Sequence, residues 1–149
     1  MGKLTDLLNI ARIRGEKMGL PYGGALTPTE AHSVLELAPG AKLVDVRTRA
    51  ELDWVGRIPG ALEIEWTGYP DGQFNTDFLA QLKRQADPES LVLFICRSGV
   101  RSHKAACLAS EAGYGGCYNV LEGFEGDLDA NGQRGKLGGW RLAGLPWRS

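Results

Sequence analysis

The sequence is organised around residues 91–102, which read LVLFICRSGVRS. The first five residues are apolar and include the β-branched Val92 and Ile95, which predicts a short central strand buried on both faces. A polar loop follows the strand, and an alanine-rich helical pattern begins near Ser102. Cys96 therefore lies where a buried strand ends and a helix is about to begin.

This position favours the thiolate form of Cys96. Backbone N–H groups at a helix N-terminus, together with the helix dipole, stabilise negative charge. Arg97 and Arg101 add positive charge to the same loop. Gly99 can adopt a backbone conformation in which successive N–H groups point towards the same anion. We expect a reactive cysteine in a loop that also binds an anion. The residues expected to bind the substrate are Arg97, Ser98, Gly99, Val100 and Arg101.

The alternative is an inert cysteine that closes the strand, because single cysteines are often buried and structural. The arginines and glycine next to Cys96 favour the reactive interpretation. Cys107 lies on the helix after the loop, about 9 Å along the axis from its start. A disulfide needs Cα atoms within about 7 Å, so we do not expect Cys107 to resolve an oxidised Cys96.

Composition bounds the remaining possibilities. A chain of 149 residues forms one domain. Its net charge of -1 and isoelectric point of about 6.1 indicate no overall positive charge that would attract nucleic acid or anionic lipid. Three cysteines without CxxC spacing argue against a disulfide framework and a zinc site. The sequence shows no signal peptide or apolar run of transmembrane length, so we expect no membrane partner and a cytoplasmic location.

Apolar spacing, capping signals and glycine–proline breaks predict alternating helices and strands. The predicted helices span residues 3–18, 28–37, 48–55 and 76–86 (capped by Asn75 or Thr76), with another from Ser102, and the predicted strands span 43–46, 61–64, 91–95 and 118–121. This alternation is typical of an α/β domain with a small parallel sheet and helices on both faces. Ligands of such sheets bind beyond the carboxyl ends of the strands, and Cys96 lies at such an end.

We divide the chain into an N-terminal amphipathic helix and linker, residues 1–24, and a domain spanning residues 25–149. The helix either packs on the flank of the domain or docks a partner or a second copy. Near the C-terminus, residues 127–132 (DLDANG) copy the first half of a calcium loop. Its twelfth position is Gly138 instead of a glutamate, so we predict a turn and no metal site.

The sequence resembles the rhodanese family from about Leu26 to Pro146. The matching stretches, in family order, are Leu43–Arg47, Arg57–Ala61, Cys96–Ser102, Gly113–Tyr114, Asn119–Phe124 and Ala143–Pro146. The resemblance implies a rhodanese-like fold and a sulfurtransferase whose cysteine carries a persulfide. A carboxylate at Asp45, within an apolar run, needs a partner such as Arg47 or another arginine. The resemblance implies that Asp45 orients an arginine of the loop, so Asp45 and Arg47 are the predicted loop-orienting residues.

The implied reaction takes sulfur from a small anionic donor, with thiosulfate as the simplest case, and passes it to cyanide, a thiol or a protein acceptor. It needs no metal or organic cofactor. One alternative is a sulfur-relay carrier that serves one protein acceptor. Another is an arsenate reductase or phosphatase on the related scaffold. Tyrosine-phosphatase loops are longer between cysteine and arginine than the stretch from Cys96 to Arg101, which favours a small sulfur donor over a phosphate ester.

Overall fold

The computed structural model describes residues 2–149 as five strands and five helices. The strands are β1 (Gly24–Leu26), β2 (Lys42–Asp45), β3 (Leu62–Glu63), β4 (Leu91–Ile95) and β5 (Gly116–Val120). The helices are α1 (Lys3–Met18), α2 (Pro28–Leu37), α3 (Arg49–Val55), α4 (Phe78–Gln85) and α5 (Val100–Glu111). The strands form one parallel sheet in the order β1-β5-β4-β2-β3. The predicted α/β class is confirmed.

The central strand, β4, is buried on both faces as its sequence predicts. Successive side chains of a strand point to opposite faces of the sheet. Val92 and Phe94 belong to one hydrophobic cluster, and Leu93 and Ile95 belong to the other. Burying both faces requires helices on both sides of the sheet, and it fixes the position of the residue that follows β4.

The two layers of helices are those predicted for this type of sheet. Phe78 and Leu82 of α4 pack with Ala105 and Ala109 of α5 on one face. The other face is covered by α1, α2 and the C-terminal segment, which contribute Ala11, Ala31, Val34 and Trp140. Within residues 2–149, no helix combines the length and the apolar character that crossing a membrane requires.

The N-terminal helix packs against the flank of the sheet. Ala11 and Gly15 of α1 are buried, and a side chain added at Gly24 would collide with the backbone of Ala11. Arg14 donates to the carboxylate of Glu30 in α2 and to the carbonyl of Ala25 in β1. Helix α1 is therefore held by close backbone packing and by one partly buried ion pair.

Strands β2, β3 and β5 each differ by one or two residues at their ends from the predicted 43–46, 61–64 and 118–121, and three further features differ from the sequence-based expectation. Strand β1 was not predicted, because Gly24 and Ala25 have low strand propensity and the strand forms by pairing with β5. Helix α5 begins at Val100 instead of near Ser102, since Gly99 adopts a left-handed conformation and serves as the N-cap. Helix α4 is preceded by Asp77 instead of Asn75 or Thr76.

Candidate active site

Cys96 follows the last residue of β4 and begins the loop that leads into α5. The residue is 1% exposed. The backbone N–H of Gly99 donates to Cys96 Sγ at 3.1 Å, and the hydroxyl of Ser102 lies 3.2 Å from Sγ. When Cys96 is a thiolate, both groups donate to the sulfur and stabilise its charge. We call residues 96–101 the Cys96 loop.

The sulfur also lies at the N-terminus of α5. Its two hydrogen-bonding partners are the N-cap residue Gly99 and Ser102 in the first turn. The helix dipole places partial positive charge at this end, within the first turn, where its effect is strongest. Backbone and side chain together therefore place donors around the atom that would carry negative charge.

Gly99 holds the loop in shape through its backbone. Its φ is +109°, in the left-handed region that favours glycine. A Cβ at Gly99 would meet its nearest neighbour at 3.8 Å, so conformation rather than space requires a glycine here. Asn119 of β5 donates through Nδ2 to the carbonyl of Gly99 at 3.1 Å. The neighbouring strand thus fixes the carbonyl of the residue whose N–H faces the sulfur.

A turn after β5 holds the Cys96 loop through backbone hydrogen bonds. The N–H of Phe124 donates to the carbonyl of Cys96 at 2.8 Å, and the N–H of Glu125 donates to that of Arg97 at 3.0 Å. Gly123 has a φ of +63°, and a Cβ there would lie 2.5 Å from the carbonyl oxygens of Cys96 and Arg97. The backbone of the turn approaches the backbone of the Cys96 loop this closely only because residue 123 has no side chain.

Arg101 is held by a carboxylate from another helix. Its Nη1 and Nη2 atoms donate to the two carboxylate oxygens of Glu51 in α3, at 2.7 and 2.9 Å. Burial opposes ionisation of both groups. The hydrogen bonds from Arg101 and from Thr48 nevertheless lower the pKa of Glu51 to about 2, and Glu51 raises the pKa of Arg101. Both groups are therefore charged, and a substrate anion has to share Arg101 with Glu51.

Asp45 and Arg47 form a buried ion pair beneath the loop. Arg47 Nη2 donates to Asp45 Oδ2 at 2.7 Å and to the carbonyl of Gly56 at 2.9 Å, and both residues are 0% exposed. The Arg47 guanidinium lies 4.2 Å from the centre of the Phe124 ring. Since the N–H of Phe124 donates to the carbonyl of Cys96, the pair reaches the loop through Phe124 instead of touching the sulfur.

The three remaining loop residues face outwards to different degrees. Arg97 is exposed, and no carboxylate within residues 2–149 lies within ion-pairing distance of it. Ser98 is half-buried, and Val100 is 62% exposed. Arg97 is therefore the arginine of the loop whose charge is available to an incoming anion.

The other two cysteines lie away from these donors. Cys107 Sγ lies 3.8 Å from Nε2 of His103, and burial together with Glu111 raises the pKa of its thiol. Cys117 is fully buried, and burial raises the pKa of its thiol to about 12. Both thiols are held in the neutral form, which makes them poor nucleophiles.

Two cavities differ in their relation to the Cys96 loop. A polar cavity of about 490 Å³ lies beside β3 and α4, lined by charged side chains such as Arg49, Glu63 and Arg84, and no residue of the Cys96 loop lines it. A groove of about 380 Å³ reaches the loop at residues 98–100. No group of three or more His, Cys, Asp or Glu side chains is placed to bind a metal ion in the part of the chain that the structure describes.

Sequence reasoning missed three residues whose side chains contact the Cys96 loop, namely Glu51, Ser102 and Asn119. Glu51 had a visible signal, because Thr48 and Glu51 have capping-box spacing and the structure contains that box. Ser102 ends the quoted stretch, but its contact with Cys96 depends on the helix beginning at Val100. Asn119 is a polar residue within a buried strand, which requires a partner.

A comparison with known families matches residues 27–130 to the rhodanese-like domain. Among the relatives, an uncharacterized protein of Rickettsia conorii is 36% identical over 122 residues, covering 80% of this chain and 93% of its own length. A thiosulfate sulfurtransferase of Actinobacillus succinogenes is 28% identical over 121 residues, covering 81% of this chain and 86% of its own length.

Solved structures show the same fold. The crystal structure of Rv0390 from M. tuberculosis superposes with a TM-score of 0.78 at 47% identity, covering 85% of this chain and 98% of that one. The solution structure of a polysulfide-sulfur transferase homodimer from Wolinella succinogenes has a TM-score of 0.57 at 21% identity, covering 96% and 85%, a likeness of fold alone. The family match supports an activity of the sulfurtransferase kind. The chain belongs to the rhodanese-like domain family.

Proposed function

We propose that this protein transfers sulfane sulfur from a small anionic donor to a thiophilic acceptor through a persulfide on Cys96. The observation that carries the proposal is the pair of donors on Cys96 Sγ, the N–H of Gly99 and the hydroxyl of Ser102, at the N-terminus of a helix. These donors stabilise a thiolate before the reaction and a terminal persulfide anion after it.

The first step is a displacement at sulfur. The Cys96 thiolate attacks the outer sulfur of thiosulfate, the sulfur–sulfur bond of the donor breaks, and sulfite leaves with the bonding electrons. The exposed Arg97 supplies positive charge for the approaching dianion. Because Cys96 is only 1% exposed, the donor must present its reactive sulfur at a terminus that enters the loop.

The second step returns the enzyme to its starting state. A nucleophilic acceptor, such as cyanide or a thiolate, attacks the outer sulfur of the persulfide. The sulfur–sulfur bond breaks, and Cys96 leaves as a thiolate that Gly99 and Ser102 stabilise. Since the two substrates react in separate steps, we expect ping-pong kinetics.

The test is mass spectrometry of the protein after treatment with thiosulfate. We expect a mass increase of one sulfur atom on the peptide that contains Cys96, and its removal by cyanide with formation of thiocyanate. Cys96→Ser should show neither the adduct nor turnover, whereas Cys107→Ser should show both. Full sulfur transfer by Cys96→Ser would overturn the proposal. Hydrolysis of para-nitrophenyl phosphate without a persulfide would instead favour a phosphatase.

A further inference from the structure

A groove of about 380 Å³ runs along one side of α5 and ends at the Cys96 loop. One wall comes from the end of α1 and the following linker, with Met18, Leu20 and Tyr22. Val100, His103 and Lys104 of α5 also line it, as do Asn119 and Leu121 at the end of β5. We call it the α1–α5 groove. Its first wall lies outside residues 27–130, the part that the family comparison matches.

The α1–α5 groove is apolar and carries positive charge. Met18 is 51% exposed and Val100 is 62% exposed, which leaves apolar surface open to water on both α1 and α5. Such surface in a concave site is typical of a place that binds a ligand or a partner. Lys104 contributes a positive charge, and no aspartate or glutamate is among the lining residues. The exposed Arg97 adds a second positive charge at the adjoining loop.

The groove reaches the Cys96 loop at Gly99, although Cys96 itself does not line it. Gly99 lines the groove, and its N–H donates to Cys96 Sγ at 3.1 Å. A molecule seated in the groove therefore contacts the residue that holds the sulfur. No residue of the larger polar cavity belongs to the Cys96 loop.

The wall from the N-terminal segment is fixed in place before any ligand binds. The hydroxyl of Tyr22 lies 2.7 Å from Nδ1 of His103 in α5, and Tyr22 is 9% exposed. Close packing of Gly24 against Ala11 holds the other end of the linker. A wall held in this way loses little conformational freedom when a ligand binds, which favours affinity.

We propose that the α1–α5 groove binds the sulfur acceptor, and that this acceptor is a protein segment with a cysteine between apolar residues and with carboxylates at its ends. The inference rests on the proposed function of Cys96. Apolar side chains of the segment would cover Met18, Leu20 and Leu121, and its carboxylates would face Lys104 and Arg97. Opposite charges across an interface favour one partner over another and speed its approach.

Sulfur transfer from Cys96 to a segment bound in the groove would conserve atoms and charge. The acceptor thiol loses its proton to solvent, and the resulting thiolate attacks the outer sulfur of the Cys96 persulfide. The sulfur–sulfur bond on Cys96 breaks, Cys96 leaves as a thiolate, and the acceptor carries the persulfide. No oxidant or reductant is needed.

Binding tests the groove without any sulfur transfer. The probes are two fluorescent seven-residue peptides with a central serine between leucines, one ending in glutamates and the other in lysines. Fluorescence anisotropy with the intact chain should show the glutamate peptide binding at least about tenfold more tightly. Equal affinity for the two peptides would overturn the proposal.

Variants of matched exposure locate the binding site. Met18→Glu should weaken binding of the glutamate peptide about tenfold, because it places a like charge in the apolar wall. Ile10→Glu, on the same helix and 46% exposed, should leave binding unchanged because Ile10 does not line the groove. Lys104→Glu should reverse the preference between the peptides. Equal effects of Met18→Glu and Ile10→Glu would place the peptide elsewhere and refute the groove.

Sulfur transfer separates this inference from the proposed function. Met18→Glu and Lys104→Glu should still form the persulfide from thiosulfate and pass it to cyanide at the wild-type rate. With the cysteine forms of the peptides as acceptors, Met18→Glu should lose most of the preference for the glutamate peptide, and Lys104→Glu should reverse it. If no persulfide forms in any variant, the proposed function fails while the binding result stands. If all acceptors are affected equally, the groove does not select the acceptor.

Discussion

At the scale of single residues, the structure gives Ser102 a role that can be measured. Its hydroxyl lies 3.2 Å from Cys96 Sγ, and it is 0% exposed, so no water replaces it directly. A hydrogen bond to a charged group contributes roughly 1.5–3 kcal/mol. We expect Ser102→Ala to slow alkylation of Cys96 by iodoacetamide at neutral pH by about tenfold or more, because the variant lacks a hydrogen-bond donor to the reacting sulfur anion.

Two variants control this measurement. Ser102→Thr keeps a hydroxyl and should recover part of the rate. Ser110→Ala removes a hydroxyl from the same helix, where it donates to the carbonyl of Pro21, and should leave the alkylation rate unchanged. Alkylation of Ser102→Ala at the wild-type rate would show that the hydroxyl does not stabilise the sulfur.

The sequence predicted the neighbours of Cys96 along the chain better than its neighbours in space. Arg97, Gly99 and Arg101 lie within five residues of Cys96, so the sequence itself shows that they are its neighbours. The buried strand before them and the glycine among them predict a loop at this point. The pairing of Arg101 with Glu51 spans 50 positions, and the contact of Asn119 with Gly99 spans 20. No periodicity reports such contacts, because they depend on how α3 and β5 are placed in the finished sheet.

At the scale of elements, the turn after β5 determines how the Cys96 loop is held. Gly123 combines a positive φ with a position 2.5 Å from the carbonyl oxygens of Cys96 and Arg97 for any added Cβ. We expect Gly123→Ala to lower the free energy of unfolding by more than the ~1–2 kcal/mol of a left-handed residue, because the backbones must also separate. Persulfide formation should fall with it. Urea denaturation and thiosulfate turnover measure the two effects.

Gly115 provides the matched control for Gly123. It lies just before β5, it has no positive φ, and no atom lies within 4 Å of an added Cβ. Gly115→Ala should therefore leave both stability and turnover close to those of the wild type. Similar losses for the two variants would mean that close approach at Gly123 does not hold the loop.

Some helix and strand boundaries could be predicted from local sequence signals alone, and others could not. The capping box of Thr27 and Glu30 fixes the start of α2, and the glycine at position 19 ends α1 in a left-handed conformation. Strand β1 was missed because its stability comes from β5, to which Gly24, Ala25 and Leu26 pair in register. A three-residue strand without β-branched residues has no signal of its own.

At the scale of the whole molecule, the buried ion pair of Asp45 and Arg47 affects both the Cys96 loop and the free energy of unfolding. Removing one partner of a buried ion pair leaves a charge without compensation and costs roughly 3–5 kcal/mol. We expect Asp45→Ala to lose about that much free energy of unfolding in urea. The control is Glu16→Ala, which breaks an exposed ion pair with Arg12 and should cost about 0–1 kcal/mol. Equal losses would contradict a stabilising role for the buried pair.

The ion pair between Glu51 and Arg101 joins α3 to α5 and makes the stability of the molecule depend on pH. Folding lowers the pKa of Glu51 from 4.5 to about 2. Because the folded pKa is the lower one, the contribution is fully present above pH 4.5 and is lost as the pH falls towards 2. Comparison with Glu51→Gln isolates this effect, since the other carboxyl groups titrate in both proteins.

We expect the difference in free energy of unfolding between the wild type and Glu51→Gln to be constant from pH 7 down to about 4.5 and to shrink steadily below that. Urea denaturation at intervals across this range measures it. A difference that stays constant down to the lowest pH would mean that Glu51 keeps its ordinary pKa in the folded protein. Arg101 would then be free of its carboxylate partner, and the charge available to a substrate anion at the Cys96 loop would come from two arginines instead of one.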